Sequence, residues 1–494
     1  MHPQPTEPRV ATEPQQQRRL VIISNREPYT VTVNDEVIHL EKTPGGLISA
    51  LDPVLKKNGG LWICWEGATR RVEELDDTPT LSDLTELQHI SLPYDIRTVA
   101  LTQNEINHYY YGYANARLWP LLHSFPSRCD FMDERDWPNY ESANQKFAAV
   151  AVEHTTDDDL IWVQDYQLFL VPGFIRQRAS QRKIGFFCHI PFPHFEMYRL
   201  LPRRDTLLKG LLGADLIGFH IPTYVQYFLE SVERLLPEAR VDFQHRSVHY
   251  QGRVIQVQDF PISIDFRQIA DLTNQPDIQK EAQQLRESYG GGQLLGIGLD
   301  RLDYTKGILE RLEAIRCFFI KYPEHKKRLT FVQIAAPTRT EVDMYRQMKE
   351  QIDQAVGRIN GELSEDGWMP IQYFYRNFTL REILPYFLAA DFALITPLRD
   401  GMNLVAKEYC AAKLGNHGMV ILSELTGAAY ELTEMVQVNP YFVEEVADAI
   451  HQTLQMPTEI KTERMRATRK YIQENDIHAW VKHFIQSFEL AVST

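Results

Sequence analysis

Short, uninterrupted apolar runs bounded by polar or glycine residues recur through this chain, and they limit its fold more than any other feature. The first series is Leu20–Ser24 (LVIIS), Leu160–Gln164 (LIWVQ), Lys183–Ile190 (KIGFFCHI) and Ala214–His220 (ADLIGFH). The second is Leu294–Leu299 (LLGIGL), Leu329–Ala335 (LTFVQIA), Asp391–Thr396 (DFALIT) and Met419–Ser423 (MVILS). Runs of this length suit strands covered on both faces, as in a parallel sheet packed between helices. Helical stretches lie between them, among them Thr223–Leu236, just after Pro222, and Ile308–Lys321. Strand and helix alternating in two series predict an α/β protein of two Rossmann-like doubly wound domains. A chain of 494 residues is long enough for both.

The join is expected near Phe260–Ile264 (FPISI), where a proline interrupts the pattern. This gives an N-terminal domain over 18–260 and a C-terminal domain over 261–475. Residues 1–17, rich in Gln, Pro and Thr and lacking an apolar core, read as a disordered tail and not as a signal peptide. The amphipathic end of the chain, Ile477–Leu490 within 476–494, is expected to pack back on the N-terminal domain. Acidic residues outnumber basic ones, 66 to 52, for a net charge of −14, which argues against a broad nucleic-acid or anionic-membrane surface. No apolar stretch is long enough for a membrane helix; Pro385 and Asp391 break the longest candidate, Ile383–Leu398. The five cysteines are widely spaced and read as reduced thiols, so the expected location is the cytoplasm.

Polar motifs follow many of these runs, at the carboxyl ends where doubly wound sheets bind ligands. In Gly298–Gly307 (GLDRLDYTKG), Arg301 and Lys306 could clamp a diphosphate and stabilise the charge that grows on it as a sugar leaves. Alternatively they are surface cations pairing with Asp300 and Asp303. In Thr396–Tyr409 (TPLRDGMNLVAKEY), backbone N–H groups at a helix start around Met402, Asn403 and Leu404 could hold a phosphate. Glu408, two helical turns along, could accept from a ribose diol and Asp400 from sugar hydroxyls, or both acids are simply solvated. In the first half, Ser24-Asn25-Arg26 follows the first strand and Gly45-Gly46 permits close backbone approach to a ligand or merely a turn. Trp65, Tyr110 and Trp119 could wall a sugar pocket or belong to the core. Asp165 and His189 each end a strand, and Arg339 could bind a phosphate or a local carboxylate. No convincing metal-ligand cluster is visible, and a nicotinamide-dependent enzyme is disfavoured by the lack of GxGxxG after the first strand.

Taken together, these stretches resemble the trehalose-6-phosphate synthase family. The matching residues are SNR (24–26), PGGL (44–47), LWP (118–120), QDYQL (164–168) and GFFCHIPFP (185–193), then DRLDYTKG (300–307), PTR (337–339), GRING (357–361), TPLRDGMNLVAKEY (396–409) and LSELTGAA (422–429). The similarity runs from about Arg19 to Leu490. It implies a GT-B architecture, two Rossmann-like domains facing a central cleft, and retaining transfer of glucose from UDP-glucose, or another NDP-glucose, to glucose 6-phosphate. By resemblance, Arg301 and Lys306 hold the donor diphosphate with help from the backbone near Asn403 and Leu404. Glu408 takes the ribose and Asp400 the transferred glucose, and Gly45 and Gly46 close over the donor. The acceptor phosphate meets Arg26, Tyr110 and Arg339, with Trp65 and Trp119 shaping that pocket. Asp165 and His189 line the reacting sugars. The resemblance further implies no cofactor and no metal, a homo-oligomer, and a separate trehalose-phosphate phosphatase acting downstream.

Some positions depart from that pattern. Gln164 and Gln167 stand where many relatives carry histidine. Arg26-Glu27-Pro28-Tyr29 and His123-Ser124-Phe125-Pro126 resemble glucosylglycerol-phosphate synthases, which use glycerol 3-phosphate and typically ADP-glucose. Ser24-Asn25, the double glycine and Arg339 follow the trehalose pattern instead. A catalytically silent sugar-phosphate sensor is the remaining alternative, disfavoured by the complete set Arg301, Lys306, Asp400 and Glu408.

Overall fold

In the computed structural model, which describes residues 18–34, 37–43, 46–65, 92, 94–289, 293–339 and 342–493, the two series of apolar runs form two sheets. The strands of the first half are β1 Leu20–Arg26, β2 Tyr29–Asn34, β3 Val37–Lys42, β4 Leu61–Trp65, β5 Asp95–Val99, β6 Leu160–Gln164, β7 Lys183–Phe187, β8 Leu216–Phe219, β9 Arg240–Asp242, β10 Ser247–Tyr250 and β11 Arg253–Asp259. Those of the second are β12 Leu294–Arg301, β13 Leu329–Ala336, β14 Ile371–Tyr375, β15 Phe392–Ile395, β16 Met419–Ser423 and β17 Val436–Val438. The first sheet has the order β5-β4-β1-β6-β7-β8-β11-β10-β9, and β2 and β3 form a separate hairpin. It is parallel from β5 to β11, with the β10–β9 edge antiparallel. The second sheet is parallel throughout, in the order β14-β13-β12-β15-β16-β17.

Both sheets therefore reverse their winding beside their first strand, between β1 and β6 and between β12 and β15. Helices leave in opposite directions at such a point and open a crevice at the carboxyl ends of those strands. Ser24–Arg26, Asp165, Arg301 and the loop after β15 all sit there. Three apolar runs form shorter strands than the sequence predicts, at β7, β8 and β15. Lys183–Ile190 is extended and paired only to Phe187, and Cys188–Ile190 instead line the end of the sheet. The helix expected from Thr223 starts at Pro222, where the missing N–H of proline costs nothing.

The chain passes between the halves twice. Phe260–Ile264 connects β11 to the helix Phe266–Thr273, and at the second passage the Ile477 amide donates to the Ile264 carbonyl at 3.0 Å. The C-terminal helix Ile477–Ala491 then lies across β6, β7 and β8. Phe484 stacks on Trp162 with ring centroids 4.0 Å apart, and a Cβ on Gly185 or Gly218 would meet the Phe484 ring at 3.2 or 3.0 Å. Trp480 Nε1 donates to the Phe260 carbonyl at 3.0 Å. Trp480→Phe keeps the packing but strands that carbonyl, so a loss of about 1–2 kcal/mol is expected, read from the denaturant midpoint. Among the described residues no helix is long and apolar enough to cross a membrane.

Candidate active site

The carboxyl ends of the two sheets face each other across a cavity of about 470 Å³. Its walls include Arg26, Tyr110, Trp119, Asp165 and His189 from the first half, and Arg301, Lys306, Arg339, Asp400, Met402, Asn403, Leu404 and Glu408 from the second. Three predicted residues are not in that lining. Gly45 lies outside the described residues. Gly46 is the first residue of the helix Gly46–Asn58, whose next residues, Leu47 and Ile48, do line the cavity. Trp65 ends β4 with 2% exposure and packs its ring against Tyr110, centroids 5.7 Å apart. It backs the wall and does not form it.

On the second-half side, β12 ends at Arg301 and the turn that follows carries Lys306. The alternative pairing with Asp300 and Asp303 does not occur. Asp300 is taken by the buried Arg311 at 2.5 Å. Asp303 accepts from the Thr305 amide at 3.0 Å and faces Arg339 at 3.5 Å. Lys306 crosses to Asp400, Nζ to Oδ2 2.6 Å, and Asn403 Nδ2 donates to the same oxygen at 3.1 Å. Burial would raise the Asp400 carboxyl, but Lys306, with smaller help from Asn403, holds it below the usual range. It stays an anion beside a cation. Asn403, at φ +79°, caps the helix Leu404–Ala412 by accepting from the Ala406 amide at 3.2 Å, a conformation asparagine tolerates better than most residues. Glu408 falls in the second turn of that helix, nearer its start than the sequence suggests. Burial pushes its carboxyl up to about 7.

On the first-half side, Arg26 Nη2 donates to the Tyr110 hydroxyl at 3.4 Å. Arg26 and Arg339 face the same space and each disfavours the other's charge. Burial would raise the Tyr110 hydroxyl, yet these two guanidiniums bring it down to about 8. The guanidiniums of Arg339 and Arg301 lie 4.6 and 5.7 Å from the Trp119 ring centroid, so two second-half cations reach a first-half aromatic. Tyr110 is delivered by Ile106–Leu118, a π-helix of 13 residues. Such wide turns concentrate at functional sites; here consecutive tyrosines turn inward, and Tyr109 donates to Asn25 at 2.6 Å.

Asp165 and His189 sit at the floor. Asp165 adopts φ +71°, a strained backbone for a residue other than glycine, and accepts from the His189 amide at 3.0 Å. His189 Nε2 lies 2.9 Å from Gln164 Oε1, and burial pushes the imidazole well below its usual range. Burial raises the Asp165 carboxyl to about 7, with the His189 and Tyr166 amides opposing. In the unfolded chain it ionises near about 4. Between those values the folded state binds more protons, so stability falls as pH rises through this window and the cost is complete above it. Asp165→Asn is therefore expected to raise the thermal midpoint at about pH 8, to leave it near wild type at about pH 4, and to lower turnover. Thermal unfolding at both pH values checks this; no gain at the higher pH contradicts it.

Sequence reasoning missed several lining residues: His123, Tyr166, His220 and Asp300. His123, held to the Trp119 carbonyl at 2.7 Å and brought by burial to about 4, is a neutral wall residue at physiological pH. Among the described residues, Asn25 Nδ2, Trp119 Nε1 and Gln164 Nε2 are buried donors without a partner, which buried polar groups rarely are. A ligand rich in hydroxyl and phosphoryl oxygen satisfies such a wall.

Two Rossmann-like sheets meeting at a cavity lined by cations from both halves are the architecture of a GT-B glycosyltransferase. Residues 18–490 match glycosyltransferase family 20, and the chain belongs to this family, that of the trehalose-6-phosphate synthases. It is 38% identical over 476 residues to alpha,alpha-trehalose-phosphate synthase (UDP-forming) A of Dictyostelium discoideum, covering 96% of this chain and 63% of that protein. It is 37% identical over 474 residues to trehalose-6-phosphate synthase of Mycobacterium avium, covering 94% of each. The E. coli protein bound with UDP-2-fluoro glucose superposes with a TM-score of 0.85 at 33% identity, covering 95% of this chain and 98% of that one. The UDP-forming synthase of Burkholderia xenovorans in complex with glucose-6-phosphate gives 0.83 at 30% identity, covering 95% and 100%.

Proposed function

We propose that this chain transfers glucose from UDP-glucose to glucose 6-phosphate with retention, giving α,α-trehalose 6-phosphate and UDP. One observation carries the reading: four cations drawn from both halves, Arg26, Arg301, Lys306 and Arg339, line a single cavity, so it suits two phosphoryl-bearing sugars at once. Related solved structures hold a UDP-glucose analogue and glucose 6-phosphate, and one is described as transferring with retention.

In this mechanism Arg301 and Lys306 neutralise the donor diphosphate as the bond from its oxygen to the anomeric carbon breaks. The first-turn amides of Leu404–Ala412 assist, and Met402, Asn403 and Leu404 fit closely against the donor. Glu408 accepts from the ribose, and Asp400, kept ionised by Lys306, accepts from the transferred glucose. Gly45 and Gly46 cover the donor. Arg26, Tyr110 and Arg339 hold the acceptor phosphate, with Trp119 beneath them and Trp65 behind. The acceptor hydroxyl attacks the face that the diphosphate leaves, and its proton passes to the departing phosphate oxygen. No carboxylate pair of the glycosidase kind is needed, and catalysis rests on positioning and charge. Asp165 and His189 shape the space around the reacting carbons.

The domain limits that fit this division are 18–260 for the acceptor side and 261–475 for the donor side, with 476–494 returning to the first. Five free thiols accord with a cytoplasmic setting, and a separate phosphatase and a homo-oligomer complete the reading. Product analysis with UDP-, ADP- and GDP-glucose against glucose 6-phosphate and glycerol 3-phosphate tests it. Trehalose 6-phosphate from the first pair is expected. Glucosylglycerol phosphate as the main product, or no transfer with any pair, overturns it.

A further inference from the structure

A side-chain cluster in the second half plays no part in the cleft. The helix Ile308–Lys321, which starts just after Lys306 and Gly307, gives way to a single 3-10 turn, Pro323–His325. This turn brings His325 against the helix Val443–Gln455, where its Nε2 lies 3.1 Å from Nδ1 of His451. Oε1 of Glu324 stands 3.9 Å from the first nitrogen and 4.0 Å from the second. Ligands bound to one tetrahedral ion at about 2.0–2.1 Å are about 3.3 Å apart, and the three separations bracket that spacing.

Packing holds the two rings in addition to the contact between them. His451 lies flat on Tyr322, centroids 3.9 Å apart and planes at 5°. The Tyr322 hydroxyl is anchored on Asp448 at 2.8 Å. His325 packs on Phe318 at 5.0 Å. Rings held this way keep their nitrogens converging whether or not a ligand is present. The Glu324 side chain is 53% exposed and that of His451 25%, so an ion has a route from solvent.

We propose that Glu324, His325 and His451 bind a divalent transition-metal ion of the zinc class, with solvent completing the coordination. Two imidazoles and one carboxylate suit zinc or cobalt, whereas calcium and magnesium take oxygen ligands. The ion ties the 3-10 turn to Val443–Gln455 and so pins the far end of the helix that begins behind Lys306. The other histidine–carboxylate cluster among the described residues, His108 with Asp133 and Asp136, is already neutralised: Arg117 lies 3.1 Å from Asp136 and Arg135 2.7 Å from Asp133.

The test is titration of the full, chelator-stripped chain with Co²⁺, read by the intense visible absorption of four-coordinate cobalt. One equivalent is expected to bind. His451→Gln abolishes the band, and Glu324→Gln, an exposed change that leaves the fold intact, weakens binding at least about tenfold. His108→Gln leaves binding unaltered, and transferase activity of Glu324→Gln matches wild type. Absence of a stoichiometric band, its persistence at full strength in both cluster variants with circular dichroism confirming their fold, or its loss in His108→Gln overturns the proposal.

Discussion

Arg301→Ala is expected to lower turnover at least about a hundredfold, roughly 3 kcal/mol of transition-state stabilisation, while the fold survives. Arg301 is exposed at the mouth of β12, and Asp303 keeps Arg339 at 3.5 Å, so truncation leaves no carboxylate stranded. Its partner in the clamp behaves differently. Lys306→Ala removes the cation 2.6 Å from Asp400 and so disturbs the sugar-binding carboxylate as well as the diphosphate site. Steady-state kinetics of Arg301→Ala beside its thermal midpoint separate the two effects. Near-normal turnover removes the donor assignment.

Arg311→Leu should cost about 3–5 kcal/mol, because it leaves the Asp300 charge buried without a partner. Arg311 is 1% exposed and spends its guanidinium entirely inside the protein. It meets Asp300 at 2.5 Å, Thr396 Oγ1 at 3.1 Å, Gln333 Oε1 at 3.3 Å and the Lys306 carbonyl at 3.2 Å. These contacts join the loop after β12 to the end of β15, so the clamp loses its footing along with the stability. Adding Asp300→Leu removes the orphaned charge and is expected to recover much of the loss. Denaturant midpoints of both variants decide this; a single variant as stable as the wild type contradicts it.

The strands that build the cleft were legible because parallel strands buried on both faces are written as unbroken apolar runs, as LVIIS and LLGIGL show. The reversal of winding beside β1 and β12 then places whatever follows those runs in the crevice, so Arg26, Asp165, Arg301 and Asp400 could be found from position alone. What stayed hidden depends on partners distant in the chain. Nothing near Asp300 says that Arg311, and not Arg301, takes its charge. The π-helix Ile106–Leu118 shows no useful apolar period, and only the structure separates Tyr110, in the cavity wall, from Trp65 behind it. Glu408 was misplaced by most of a turn because the loop after Asp400 runs to Asn403 before the helix starts. His325 and His451 are 126 residues apart, beyond any local metal-binding pattern.

A second group of residues makes the two halves meet. Lys407, on the helix Leu404–Ala412, is buried with Glu431 at 2.6 Å and donates to the Ile262 carbonyl of the connecting segment at 2.8 Å. Gly401 lies so close to the His189 carbonyl that a Cβ has no room. The Tyr224 hydroxyl reaches the Asp400 carbonyl at 3.3 Å. The donor loop therefore rests directly on the first-half strand ends, and cations of both halves line one cavity.

A crystal structure of the chain with UDP and glucose 6-phosphate tests that shared cavity most directly. The diphosphate should lie against Arg301 and Lys306 while the hexose phosphate lies between Arg26 and Arg339. A diphosphate bound away from Arg301 and Lys306, or a hexose phosphate held by one half alone, would contradict it.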